Sequence, residues 1–141
     1  MQMRKLSVVL IYFTLIGVGI GAAILFNIRG TVEVFESDVT ISPQSFSIDV
    51  AKGVEYVKQI TIKNSGTEKC VYFEEVIEGP SPEKIDVSYK DVQGNSVYSS
   101  KKLCLPQGTK DVPSETKVNV HIDVRSDAET GKHLIYIFVR T

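Results

Sequence analysis

The chain has 141 residues, enough for one domain and an accessory segment, and its charges nearly cancel: 16 Lys+Arg against 17 Asp+Glu. Every acid follows residue 26 and no basic run is concentrated anywhere, which argues against a nucleic-acid-binding face. Trp is absent, no repeat or low-complexity tract occurs, and neither Asn64-Ser65-Gly66 nor Asn95-Ser96-Val97 is an N-glycosylation acceptor.

Residues 6–26 read LSVVLIYFTLIGVGIGAAILF, an uncharged apolar run. As a helix it spans about 30 Å, the thickness of a bilayer core, and satisfies its own backbone polar groups there. Arg4 and Lys5 precede it and the acidic part follows. This polarity predicts a cytoplasmic tail at 1–5, a transmembrane anchor at 6–26 and everything after it outside. A cleaved signal is the alternative, with Gly21-Ala22-Ala23 as its cleavage site, but the apolar run continues to Phe26, beyond what a signal core needs. Gly17 and Gly21 lie four apart, a spacing that lets two membrane helices approach closely.

After Gly30 the hydrophobic period becomes two. Residues 27–38 read as a juxtamembrane linker or first strand, and 39–141 as the domain. Ser45-Phe46-Ser47-Ile48-Asp49-Val50 alternates, as do Ile60 and Ile62 with Thr61 and Lys63. Val57 is out of phase with that pair, which predicts a bulge near Lys58 or Gln59. Residues 85–90 (IDVSYK) and 117–125 (KVNVHIDVR) alternate cleanly, one face to a core and one to water. The last run, 134–139 (LIYIFV), is apolar on both faces. It reads as a central strand, with contact to another protein as the sharper alternative. Turn signals at 51–53, 64–66, 79–82, 93–95, 106–108 and 129–131 separate these runs. No helical period is sustained after residue 30. The expectation is an all-β sandwich of seven or eight strands.

The corner Ile60-Thr61-Ile62-Lys63-Asn64-Ser65-Gly66 resembles that of immunoglobulin-like domains, the CARDB type among them, in prokaryotic and especially archaeal surface proteins. Residues 112–120, a Pro-led turn and an alternating strand, and 127–137, Asp127-Ala128 through Gly131 into a final strand, are similar to the closing half of those domains. The resemblance covers roughly residues 40–141. It departs at Ser114, where Gly is frequent, and in the two cysteines. It implies an immunoglobulin-like sandwich but no single function, because such domains serve as spacers, adhesins and filament subunits.

Cys70 and Cys104 are expected to pair on an outward-facing domain; free thiols are the alternative, and no Cys-x-x-Cys spacing supports a redox or metal site. His121 falls on the polar face of its strand and His133 at a turn exit, both read as solvated. No Gly-x-Ser-x-Gly nucleophile turn and no phosphate-cradling loop is present. Alternation separates Glu74 from Glu75, leaving Glu74, Glu75 and Glu78 as a solvated acidic run rather than a catalytic pair. Asp123, Asp127 and Glu129 lie around one turn without calcium-loop spacing. Tyr56, Tyr72, Tyr89, Tyr98 and Tyr136 are expected to pack a core or edge, with sugar stacking as the alternative. The sequence therefore predicts no catalytic residue, cofactor or metal. Its expected partners are the membrane and an envelope or filament protein, with no nucleic acid and no evident small-molecule substrate. In the filament alternative, residues 31–41 (TVEVFESDVTI) add as a strand to a neighbouring subunit.

Overall fold

A computed structural model describes residues 25–34 and 38–141. They form nine strands: β1 (Leu25–Val34), β2 (Val39–Ser42), β3 (Ser45–Ala51), β4 (Glu55–Asn64), β5 (Lys69–Glu78), β6 (Ile85–Asp91), β7 (Leu103–Leu105), β8 (Ser114–Val124) and β9 (Gly131–Arg140). A single 3-10 turn, Pro82–Lys84, precedes β6. The strands make two sheets, a five-stranded one ordered β3-β1-β9-β5-β7 and a four-stranded one ordered β2-β4-β8-β6. This is the expected all-β, sandwich-like architecture. Among the described residues no helix is long and apolar enough to cross a membrane. The anchor expected at 6–26 falls outside the described residues except for Leu25 and Phe26, which open β1; Gly17 and Gly21 also lie outside them.

Period-two alternation explains most of the core. On β8, Val118, Val120, Ile122 and Val124 are fully buried, while Lys117 and Asp123 are exposed. Ile60 and Ile62 on β4 meet them from the neighbouring strand, and Ile135, Ile137 and Val139 on β9 close the core from the other sheet. The strand count exceeds the expected seven or eight because the lead segment divides. Its first part continues β1 in the five-stranded sheet, and residues 39–42 cross to the four-stranded sheet as β2. The bulge expected near Lys58 or Gln59 is absent. β4 pairs with β8 without interruption from Glu55↔Asp123 to Asn64↔Ser114. Val57 belongs to the outward set with Glu55 and Gln59, and is simply exposed at 46%.

β1 is the least expected element. It lies between β3, antiparallel, and β9, parallel. Its alternation is masked by Gly30, which occupies a core-facing position between the buried Ile28 and Val32. Gly30 sits directly opposite Phe46 of β3, and a Cβ there would collide with the Phe46 ring. The aromatic side chain fills the space that glycine leaves, so the gap in the pattern is a packing device.

Candidate interaction face

Strand β9 is central, as its sequence suggests, and its two faces have different fates. Ile135, Ile137 and Val139 point into the core. Leu134, Tyr136 and Phe138 point the other way, half-buried, on the outer face of the five-stranded sheet. Register fixes their neighbours. Leu134 lies between Arg29 and Glu78, Tyr136 between Thr31 and Val76, and Phe138 between Glu33 and Glu74, with Tyr72 beside Arg140. Val76 is 50% exposed. The result is an apolar column of Leu134, Tyr136, Phe138, Val76 and Tyr72, bordered by charges of both signs. Among the described residues no third layer covers it. Two cations shield its far end: the Arg140 guanidinium lies 5.4 Å from the Phe138 ring centre and donates to Glu74 at 3.1 Å, and the Lys102 ammonium lies 5.6 Å from the Tyr72 ring centre.

The tyrosines thus divide. Tyr89 is buried and Tyr56 packs against the core from β4. Tyr98 is half exposed in the segment after β6. Tyr72 and Tyr136 both face outward on the five-stranded sheet, four residues apart in register.

Cys70 and Cys104 form a disulfide. They sit opposite one another on β5 and β7. Cys70 shares the outward side of β5 with Tyr72, so the bond ties the three-residue β7 to the end of the apolar column. Closing a loop with a sequence separation of 34 is worth about 3–4 kcal/mol in the chain-entropy account. Reduction should therefore lower the melting temperature markedly under conditions where the native, oxidised protein shows no thiol to an alkylating reagent. Two labelled thiols without reductant, or an unchanged melting temperature with it, would contradict this.

The remaining polar candidates do not converge. His121 does lie on the polar face, 3.2 Å from Glu55. His133 does not: it is fully buried, correcting the solvated reading. The Ser81 N–H donates to its Nε2 at 3.3 Å, which places the proton of the neutral ring on Nδ1. Burial holds its pKa below the usual histidine value, against the opposing pull of the Gly131 backbone and Glu129. Gly79, at φ +148°, leaves room for the ring; a Cβ there would fall 2.5 Å from it. The Ser81 hydroxyl accepts from the Glu129 N–H at 2.8 Å, so Ser81 and His133 meet through backbone and make no nucleophile–base pair.

Glu74 and Glu75 occupy opposite faces, as alternation requires. Glu75 turns inward and accepts from the Tyr89 hydroxyl at 2.7 Å. Burial raises the pKa of both groups. Asp127 is taken by Lys84 at 2.7 Å, and among the described residues no group of three or more His, Cys, Asp or Glu is placed to hold a metal ion.

One structural centre escaped the sequence reading. Asn64, quoted there only as part of a corner, is fully buried. Its Nδ2 donates to the carbonyls of Thr67 at 2.9 Å and Pro106 at 3.0 Å, and its Oδ1 accepts from the Gly66 N–H at 3.0 Å. The Ser114 hydroxyl donates to the same Pro106 carbonyl, and Lys69 pairs with Asp38 at 2.7 Å beside it. These contacts fix the loops at the end of the sandwich away from Leu25.

No family model matches the sequence. The chain is 47% identical, over 140 residues that make up 99% of each chain, to an uncharacterised protein of Archaeoglobus fulgidus, and it belongs to the same family.

Proposed function

We propose that the protein is a membrane-anchored, outward-facing immunoglobulin-like domain of the cell envelope, of the kind found in archaeal surface proteins, with a structural or protein-interaction role and no catalytic one. The observation that carries the interaction role is the uncovered column Leu134, Tyr136, Phe138, Val76 and Tyr72. An apolar stripe with a charged rim has the composition of a protein-binding surface. The apolar run at 6–26 supports the location. Because β1 begins at Leu25, no spacer separates that run from a central strand. Such a mount sets the Asn64 end about 30 Å from the bilayer, at about 3.3 Å of rise per strand residue.

The filament alternative needs residues 31–41 as a free strand. Residues 31–34 and 39–41 instead pair within the chain's own two sheets, which favours the anchored reading.

Protease added to intact cells should degrade residues beyond about Gly30, and the protein should stay in membranes through a carbonate wash; recovery in the soluble cytosol would refute the location. A photo-cross-linking residue at position 76 of the full chain should capture one recurring envelope protein, and Tyr136→Arg should abolish the adduct. The same residue at position 57, equally exposed on the other sheet, should give none. Equal capture at both positions would refute the face. A sugar bound in place of a protein, and released by Tyr136→Ala, would establish the carbohydrate-binding alternative.

A further inference from the structure

We infer that the free edge of β3 is a self-association edge, at which a second copy of this chain adds its own β3 in antiparallel register. An exposed edge presents unpaired N–H and C=O groups, and soluble domains usually block it. Among the described residues two of the four sheet edges are very short and a third is partly overlaid. β7 is only three residues long. β2 has four residues and runs into Pro43, which has no N–H to donate. β6 is overlaid at one end: Ser96 bridges to Lys90, and the Val97 N–H donates to the Tyr89 carbonyl at 2.9 Å.

β3 carries no such device. It has seven residues with no proline and no lysine, and its register with β1 runs unbroken from Leu25↔Ala51 to Thr31↔Ser45. Among the described residues its other side pairs with no strand. Its single charge is drawn away from the edge. Asn27 of β1 donates to the Asp49 carboxylate at 3.0 Å and to the Ser47 hydroxyl at 3.3 Å, leaning both toward β1. Phe46 and Ile48 face the core yet stay only partly buried, unlike the fully buried Ile28 next to them. A further strand would cover both.

The strand is complementary to itself. A two-fold axis at Ile48 sets Phe46 against Val50 of the second copy on the core side and Ser47 against Asp49 on the outer side. No like charges meet, and Ile48 packs on its own mate. The two five-stranded sheets then become one. In this arrangement the two Leu25 ends point in opposite directions, so the pair joins copies reaching from facing membranes, or copies free of the membrane, rather than neighbours in one bilayer. The contact uses the sandwich alone and does not rest on the apolar column proposed above.

The test uses the full chain in detergent micelles, with Ser47→Cys and Asp49→Cys introduced into two differently tagged copies. The native thiols are already bonded to each other. Oxidation should link the two tags in a concentration-dependent dimer, and Ser47→Glu, which sets a carboxylate against Asp49 of the second copy, should weaken the dimer at least tenfold by sedimentation while leaving the melting temperature in place. A monomer at every concentration overturns the inference. So does a dimer in which the 47 and 49 thiols fail to cross-link, or one that Ser47→Glu leaves intact, as association through the apolar segment would.

Discussion

A chain beginning at Val39 should show no cooperative unfolding transition, whereas one beginning at Leu25 should melt as a single unit. Among the described residues β1 is the only strand neighbour of β3 and one of the two neighbours of β9. Removing it frees a row of backbone donors and acceptors on β9 from Phe26↔Gly131 to Val34↔Val139, and the whole paired side of β3. It also removes Ile28 and Val32 from the core, where they are 0% and 5% exposed. Two such side chains are worth about 1.5–3 kcal/mol each, and each lost net hydrogen bond adds about 0.5–1.5 kcal/mol. A domain of this size holds only about 5–15 kcal/mol in total, so the loss reaches the whole of its stability. Differential scanning calorimetry of the two chains checks this. A shorter chain melting within a few degrees of the longer one would show that β1 is an accessory, and would reopen its use as a strand donated to a neighbour.

The same strand marks where the sequence stops being legible. β8 could be read from Val118, Val120, Ile122 and Val124 alone, because one face is core, the other is water, and no residue interrupts the period. β6 follows the same logic, whereas β9 was legible as a central strand from a run apolar on both faces. β1 was legible only as a linker or first strand over residues 27–38, for two physical reasons. Its first two residues belong by composition to an apolar run that suits a bilayer equally well, and Gly30 breaks its core-facing set at the one position filled by a side chain from another strand. Its parallel pairing with β9, about a hundred residues away, leaves no local trace. Val57 misled in the opposite direction. An exposed valine looks like a phase error when outward positions are assumed polar, although sheet surfaces carry many apolar atoms. For the candidate face, the double-sided apolarity of residues 134–139 was visible in the chain. That Val76 and Tyr72 stand beside them follows only from the β5–β9 register. Buried polar groups were the least legible. His133 and Asn64 sit at turn-like positions, where such residues are usually solvated, and only the loops folded over them make them core.

Asn64→Ala should be the most damaging single change away from the apolar core, lowering stability by about 2–3 kcal/mol. The side chain is fully buried and works at three points at once, donating to Thr67 and Pro106 and accepting from Gly66. Alanine leaves two carbonyls and one N–H without this partner; Thr67 and Pro106 are exposed residues, so each loss lies near the net worth of a hydrogen bond, about 0.5–1.5 kcal/mol. The Pro106 carbonyl keeps the Ser114 hydroxyl and Gly66 is only half-buried, which holds the total below the simple sum. Asn64→Asp separates hydrogen bonding from shape. It retains the acceptor toward Gly66 but turns both donors into a carboxylate facing two carbonyls, so it should destabilise at least as much as alanine despite its near-identical volume. Urea unfolding with an unchanged slope would assign the loss to the native state. A loss below about 1 kcal/mol for both variants would mean that water replaces the side chain in this corner, and that the disulfide and the Asp38–Lys69 pair hold this end of the sandwich without it.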